Sequence, residues 1–364
     1  MIKGPSFYGE YHGHKVDHLE ILLPALRETS DSLIWTAGDS SLDNKYWFSD
    51  HRPAVGAYRQ VLEPPATMNA DVNYWLNYLA EEKRAQVQTQ TATTTTRTPV
   101  VAAINTAVEA TTVNERTHRL RPQDIFLRDN IRTEDTLVVS IGGNDVAMKP
   151  MPCTICSVLS VVNMPLWCLE QSSCVCASPP CDEHFSGCGP VATASCACAF
   201  PPCIGYTTHL FGTRIQRYIE KLTAKTSPKR ILVCMIYYPE ENPSPSWAGT
   251  ALRSLGYDKN PERLQWFIRR MFVEATSKIR IHNSKDVVPV PLFEVLDGKT
   301  REDYVARVEP SPEGGRKMAE YILRIIEQHE RNPYHACAYN NPSSTTTPAT
   351  SSLPVESSYM VDRS

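Results

Sequence analysis

Five short apolar runs, rich in β-branched and aliphatic residues, interrupt a chain of otherwise mixed polar and apolar character. They cover residues 33–37, 99–104, 136–141, 230–237 and 286–293. Continuous apolarity over such short lengths predicts β-strands covered on both faces, as in a parallel sheet. Proline lacks the N–H that a sheet ladder needs, so the two prolines in the last run predict that this strand lies at an edge.

Between these runs, apolar residues recur at the spacing of a helix. The patterns predict helices over residues 72–84, 213–224, 262–279 and 312–328. Asn260 and Pro261 supply the N-cap and first-turn residues of the third of these helices. Strands that alternate with helices predict an α/β fold, namely a three-layer α/β/α sandwich with a five-stranded, mostly parallel, flavodoxin-like sheet and right-handed crossovers.

Three segments do not fit this alternation. The polar run 86–98 predicts a flexible loop, and residues 341–364, rich in Ser, Thr and Pro, predict a disordered tail. Ten of the twelve cysteines lie between positions 153 and 203. We therefore interpret residues 151–205 as a cysteine-rich insert in a single domain of residues 1–340. Disulfides, a zinc site and an unstructured insertion all remain open for this insert.

Composition and charge limit the classes of partner that the protein is expected to bind. The 37 basic side chains nearly balance the 40 acidic ones, so no net field attracts nucleic acid or anionic lipid, and neither is expected as a partner. Residues 1–20 are too polar for a secretory leader, and no run reaches the ~20 apolar residues of a membrane span, so we expect a cytoplasmic protein. We interpret His12, His14 and His18 as solvated surface residues that bind no metal, and we expect no metal among the site residues and no cofactor.

Polar residues follow three of the predicted strands. Gly-Asp-Ser at positions 38–40 comes after the first strand, residues 105–111 come after the second, and Gly-Gly-Asn-Asp at positions 142–145 comes after the third. Each motif alone is also typical of an ordinary turn. Ligands of open parallel sheets bind beyond the carboxyl ends of the strands, so the three segments together predict one shared crevice.

Two of these segments resemble signature blocks of a known family. Residues 38–40 and residues 140–145, Ser-Ile-Gly-Gly-Asn-Asp, resemble the nucleophile and asparagine blocks of the SGNH hydrolases, also called GDSL esterases and lipases. The resemblance extends over the chain apart from the insert and the tail. It implies the SGNH type of sandwich and a serine-dependent acyl-ester hydrolase with Ser40 as nucleophile. The backbone N–H of Ser40, the N–H of Ala110 at the family's glycine position, and the Asn144 amide would then form the oxyanion hole.

The resemblance breaks in the fourth block, where the family has an aspartate and, three residues later, a histidine. Ala306 and Glu309 occupy those two positions here. Glu309 is therefore the first candidate for the general base, because its position matches. An ordinary glutamate pKa of about 4.3 makes a weak proton acceptor unless burial raises it. The other candidates for the proton acceptor or its relay are His51, His209, His282, Asp297 and Asp303.

The resemblance leaves two rival functions open. An acyltransferase would use the same serine if water were excluded, and a binding or scaffold protein would keep the fold without turnover. The expected substrate of the hydrolase is a small-molecule, carbohydrate or lipid ester. We interpret Tyr237, Tyr238 and Trp247 as packing residues outside the site, whereas Trp47 and Phe48, just past the nucleophile block, have a better claim to contact substrate.

Overall fold

The computed structural model describes residues 1–90, 99–150, 152–169, 204–284 and 286–331. Its strands are β1 (Ser32–Gly38), β2 (His51–Pro53), β3 (Thr67–Asn69), β4 (Val101–Asn105), β5 (Thr136–Ser140), β6 (Arg230–Met235), β7 (Val287–Pro291), β8 (Tyr304–Val305) and β9 (Glu309–Pro310). Five of them form one sheet in the order β4-β1-β5-β6-β7, and every neighbouring pair is parallel. The five predicted strands and the proline-bearing edge strand are thus confirmed.

Helices flank this sheet and complete a three-layer α/β/α sandwich, as predicted. The α-helices of the described residues are Gly4–Tyr8, Val16–Thr29, Tyr58–Val61, Val72–Gln90, Val113–His118, Pro122–Asn130, Gly143–Ala147, Pro152–Val162, Leu166–Leu169, Gly205–His209, Ile215–Leu222, Gly249–Ser254, Pro261–Glu274 and Pro312–Arg331. Short 3-10 helices cover Lys45–Trp47, Thr276–Lys278, Leu292–Glu294 and Arg301–Asp303, and Leu210–Arg214 is a π-helix. Helices Val72–Gln90 and Pro312–Arg331 pack together as one layer beside the sheet.

Two predicted segment boundaries are wrong. Residues 86–90, expected in a loop, continue the helix Val72–Gln90, because the Glu, Lys, Arg and Ala residues before them are strong helix formers. The helix expected to reach residue 279 ends at Glu274, since Ala275 has left helical geometry. The remainder of the predicted loop, residues 91–98, lies outside the described residues, as does the predicted tail.

The first part of the cysteine-rich insert belongs to the packed domain. Helix Pro152–Val162 buries Val158, Val161 and Val162 in the core, and the Arg263 guanidinium donates to the Val162 carbonyl at 2.8 Å. Residues 170–203 lie outside the described part, so the choice among disulfides, a zinc site and an unstructured insertion falls outside the described residues. The insert therefore begins as a helix against the long helix that starts at Pro261.

The interpretation of His14 as a solvated residue is wrong. Its ring is buried, stacks on Phe7 with centroids 4.0 Å apart, and its Nδ1 lies 2.9 Å from the Phe7 carbonyl. Burial, with the nearby Lys45 charge, lowers the pKa of His14 to about 3, so the ring is neutral. His12 is exposed, as expected. None of the helices in the described ranges is both long enough and apolar enough to cross a bilayer.

Candidate active site

The nucleophile block begins where β1 ends against β5. Gly38 has a φ of +136°, and a Cβ at this position would stand only 1.8 Å from the Ser140 carbonyl oxygen. A side chain is therefore excluded there, and glycine allows the two strand ends to approach each other. The Asp39 N–H then donates to that same carbonyl at 3.1 Å. The next residue, Ser40, therefore lies at the carboxyl edge of the sheet.

Asp39 and Ser41 hold the block in this conformation. One Asp39 oxygen accepts from the Ser41 N–H at 3.1 Å and from its hydroxyl at 2.8 Å, and the other accepts from the Gly142 N–H at 3.2 Å. Burial raises the pKa of Asp39, although these hydrogen bonds oppose the shift. The Ser41 hydroxyl also contacts the Ser140 hydroxyl at 2.6 Å. The Ser41 hydroxyl is thus held by bonds within the block, and both serines line the cavity described below.

The second block runs across the end of β1 and carries Ala110. The Val108 N–H donates to the Gly38 carbonyl at 3.0 Å, which fixes the segment beside the nucleophile block. Ala110 has a φ of +55°, the left-handed conformation that glycine adopts without strain. Alanine therefore keeps the backbone shape expected of the family's glycine. Among the described residues, the Ala110 N–H has no hydrogen-bond acceptor.

The third block joins the second through Asn144. Its side-chain amide donates to the Thr111 carbonyl at 3.0 Å, one residue beyond Ala110. An amide carries two N–H donors, so the second donor remains for another acceptor. The following residue, Asp145, accepts from the Val113 and Asn114 N–H groups at 2.7 and 3.1 Å and so caps helix Val113–His118. These contacts bring the three sequence blocks to one edge of the sheet.

Three of the four predicted site residues line one cavity of about 100 Å³. Ser40, Asn144 and Glu309 form its polar wall together with Asp39 and Ser41. The remaining lining consists of Gly143, Val146, Ala147, Ile236, Tyr237, Pro239, Trp247, Ala251, Leu252, Leu255, Leu264, Phe267, Ile268 and Val308. Ala110 is not part of the lining. Side chains from distant parts of the sequence therefore meet in one pocket.

Glu309 reaches the cavity from a tight hairpin. Strands β8 and β9 pair Val305 with Glu309, and the residues between them include Ala306 and Arg307 at φ of +48° and +67°. The Tyr237 hydroxyl donates to the Val308 carbonyl at 2.7 Å. On the other side, the Asn44 amide donates to the Pro310 carbonyl at 2.8 Å. The backbone is thus held on both sides of Glu309.

Arg307 fixes the turn of this hairpin. Its guanidinium is buried and donates to the Glu240 carbonyl at 3.0 Å and to the Asp258 carboxylate at 2.8 Å. Its own carbonyl accepts from the Glu240 N–H at 2.8 Å. These contacts join the hairpin to the loop that carries Trp247. They compensate for two successive residues in the left-handed region, which L-amino acids otherwise avoid.

The environment of Glu309 changes its proton affinity. The residue is 2% exposed, and one of its carboxyl oxygens has no hydrogen-bond partner among the described residues. Burial raises the pKa of Glu309 to about 8, assisted by the charges of Asp39 and Asp43. The Ser40 hydroxyl and the Trp247 indole, which lie near the carboxyl, lower it in part. A carboxylate with this pKa is a far stronger base than an ordinary glutamate.

The other candidates for the proton acceptor do not line this cavity. His51 and His282 are exposed, and Asp297 is exposed on a turn. His209 is buried, and its Nδ1 accepts from the Arg214 guanidinium at 3.1 Å. Asp303 pairs with Lys317 at 2.8 Å. Of these sequence candidates, Glu309 is the one that lines the cavity with Ser40, and its carboxyl interacts with the Ser40 hydroxyl.

Aromatic residues at the cavity were only partly anticipated. Tyr237 packs in the core as expected, but Tyr237 and Trp247 both line the cavity, so their exclusion from the site is wrong. Trp247 is 39% exposed and stacks on Trp47, with ring centroids 6.5 Å apart. Phe48 instead lines a separate surface cavity near residues 63–67. The aromatic content after β6 was a usable signal, but aromatic residues after a strand more often fill the core.

A buried charge cluster supports the loop that follows the nucleophile block. The Lys45 ammonium contacts both Asp43 oxygens at 2.8 Å and one Glu109 oxygen at 2.9 Å, and all three side chains are buried. The second Glu109 oxygen accepts from the Gly13 N–H at 2.8 Å. Burial beside Asp43 raises the pKa of Glu109 strongly, so one ammonium, one carboxylate and one carboxylic acid share the site. The cluster connects the first and second blocks.

The cavity brings together groups of the kinds that acyl transfer uses. A hydroxyl, a carboxyl of raised pKa and an amide donor surround one apolar cavity. Within the described ranges, no three His, Cys, Asp or Glu side chains are grouped as a metal ion would require.

Comparison with known proteins finds similar solved structures and nothing else. No protein-family model matches the chain, and no curated protein matches it. Among solved structures it is similar to an acetyl xylan esterase from Geobacillus stearothermophilus, with 14% identity over 82% of this chain and 95% of that one at a TM-score of 0.38. It is also similar to a putative GDSL-like lipase from Parabacteroides merdae, with 12% identity over 81% of this chain and 95% of that one at a TM-score of 0.39. The aryl esterase of M. smegmatis has 11% sequence identity over 82% of this chain and 99% of that one, at a TM-score of 0.38. These scores are too low to bear on activity.

Proposed function

We propose that the protein is a serine-dependent acyl-ester hydrolase that acts through an acyl-enzyme on Ser40. The observation that carries the proposal is the meeting of Ser40, Asn144 and Glu309 in one cavity, with the Glu309 carboxyl beside the Ser40 hydroxyl. The resemblance of the first and third blocks to those of the SGNH hydrolases supports the same assignment. The departure from that family lies in the base, which is a carboxylate in place of a histidine.

Acylation begins with ionised Glu309. Its carboxylate takes the Ser40 hydroxyl proton while the serine oxygen attacks the ester carbonyl carbon. The Ser40 and Ala110 N–H groups and the Asn144 amide stabilise the negative charge on the carbonyl oxygen. When the carbon–oxygen bond to the alcohol breaks, protonated Glu309 returns its proton to the departing alkoxide. The acyl group remains esterified to Ser40.

Deacylation repeats these steps with water. Ionised Glu309 takes a proton from a water molecule, whose oxygen attacks the acyl carbon. The tetrahedral intermediate then collapses, the bond to Ser40 breaks, and Glu309 returns the proton to the serine oxygen. The products are the free acid and the unmodified enzyme. The raised pKa of Glu309 supports both halves of the cycle, because a carboxyl that titrates near neutrality can accept and return a proton.

A fluorophosphonate probe tests the nucleophile. We expect the folded protein to be labelled once, at Ser40, and we expect Ser40→Ala to abolish both labelling and ester hydrolysis. Ser49→Ala is the matched control, since Ser49 is a serine outside the cavity and its loss should change neither readout. Folded protein that hydrolyses no ester and takes no label would overturn the proposal in favour of a binding protein.

A second variant tests the base. Glu309→Gln keeps the shape of the side chain but cannot accept the Ser40 proton, so we expect kcat to fall by about 10²-fold or more. Labelling by the probe should slow in the same proportion. Full activity in Glu309→Gln would show that another group is the base.

A further inference from the structure

The walls of the cavity differ sharply in polarity. Ser40, Asn144 and Glu309 lie on one side. Most of the other lining residues are apolar side chains, many of them from helices Gly249–Ser254 and Pro261–Glu274. Asp39 and Ser41, the other polar members, already satisfy their hydrogen bonds with backbone and side-chain partners. The far part of the cavity therefore offers no partner for a hydroxyl group, and a polyol would lose hydrogen bonds on entry.

One group of apolar lining residues is firmly packed. Leu252, Leu264, Phe267 and Ile268 are each at most 5% exposed, so the core closes the cavity where these side chains line it, and we call this part the closed end. Trp247, by contrast, is 39% exposed and marks the side of the cavity that opens to solvent. After acylation the alcohol must leave and water must enter. The closed end therefore suits the group that stays on Ser40, and the open side suits the group that leaves.

The volume of the cavity limits the length of the acyl chain that it can hold. A cavity of about 100 Å³ has about two thirds of the volume of the ~150 Å³ cavity that accepts benzene, in which each of the six carbons takes about 25 Å³. The space beyond the carbonyl carbon thus corresponds to about three or four methylene-sized groups. We propose that this cavity is an acyl pocket, and that the preferred substrates are esters of unbranched aliphatic acids of about four or five carbons. This inference rests on the proposed esterase function.

Two ester series test the pocket. In the first, 4-nitrophenyl esters vary the acid from about two to twelve carbons, and kcat/KM should peak at about four or five and fall by about tenfold or more per excess methylene group. In the second, acetate esters vary the alcohol over the same lengths, and no such optimum should appear. An optimum in the alcohol series alone, or a profile that keeps rising to the longest acids, would overturn the assignment.

Two cavity variants should move the optimum in opposite directions. Ile268→Ala enlarges the closed end and should shift the optimum to longer acids. Ala251→Phe fills the cavity and should leave acetate as the best acyl group. Val273→Ala is the matched control for Ile268→Ala on helix Pro261–Glu274, because Val273 is 54% exposed and does not line the cavity. An unchanged optimum in a folded Ala251→Phe protein would contradict the pocket.

A binding measurement separates this inference from the esterase proposal. Thermal shifts of the Ser40→Ala protein with unbranched alkyl carboxamides of about two to eight carbons need no turnover. The largest shift is expected at about four or five carbons, and Ala251→Phe should remove it. If esters are hydrolysed but the shifts show no length optimum, the pocket is wrong and the esterase stands. If the optimum appears without hydrolysis, the cavity binds short aliphatic chains, but the esterase proposal and the acyl role of the cavity are both wrong.

Discussion

Replacement of Glu309 by glutamine should make the protein more stable at alkaline pH. Glutamine has nearly the shape of a protonated glutamate and carries no charge at any pH. Glu309 is 2% exposed, and its pKa rises to about 8 in the folded state because burial penalises the charged form. In the unfolded chain the same group ionises near its ordinary pKa of 4.5. Folding therefore works against ionisation of this side chain.

The sign and the size follow from proton linkage. Between about pH 4.5 and 8 the folded protein keeps a proton that the unfolded chain has released, so the free energy of unfolding falls as pH rises through this window. One pKa unit corresponds to about 1.36 kcal/mol. A pKa of about 8 in place of 4.5 thus gives an upper limit of about 5 kcal/mol above pH 8. Glu309→Gln should restore at least about 2 kcal/mol of this lost free energy of unfolding at about pH 9, and almost none at about pH 4.5.

Urea unfolding of both proteins across this pH range measures the difference. The stability gained by Glu309→Gln should grow with pH and level off above about pH 8. Glu302→Gln provides the control, because Glu302 is an exposed glutamate beside the same hairpin and its replacement should produce no such trend. A Glu309→Gln variant that is less stable than the parent protein at about pH 9, or a difference that does not depend on pH, would refute the assigned environment of Glu309.

Four further outcomes are expected. With ionised Glu309 as base, kcat/KM should rise about tenfold per pH unit up to about pH 8 and then level off, as a pH–rate profile would reveal. Asn144→Ala should lower kcat by about 10²- to 10³-fold without loss of the fold, as steady-state kinetics and circular dichroism would report. Ala110→Gly relieves a left-handed alanine and should raise stability by up to about 1 kcal/mol in urea unfolding, and a loss of stability would contradict the backbone at this position. Lys45→Met leaves two buried carboxyl groups without their cation and should cost about 3–5 kcal/mol, part of which Asp43→Asn should restore in the double variant.

The proposed base gives the site an unusual balance of stability and function. A buried carboxyl with a raised pKa is a stronger base, and the same burial lowers the stability of the folded protein when the group ionises. Substitution to the neutral residue is expected to gain stability and lose turnover. Such opposed effects are typical of residues kept for their chemistry.

The sheet and the positions of two site residues could be predicted from the sequence. Apolar runs identify the five parallel strands because each strand is buried on both faces, and this property is local. The segments that hold Ser40 and Asn144 follow directly from the ends of β1 and β5. Parallel strands place their carboxyl ends at one edge of the sheet, so the meeting of these two residues follows from the fold class.

The proposed base, its pKa and the cavity depend on contacts between distant parts of the chain. Position in the sequence ranked Glu309 first, but only the folded chain decides that it lies beside Ser40 and that burial raises its pKa. The same holds for His14, a polar residue on a polar segment that becomes buried against Phe7. Local patterns determine secondary structure because they act through neighbouring residues. Desolvation, charge and cavity volume depend on side chains brought together from the whole chain, and tertiary packing alone decides them.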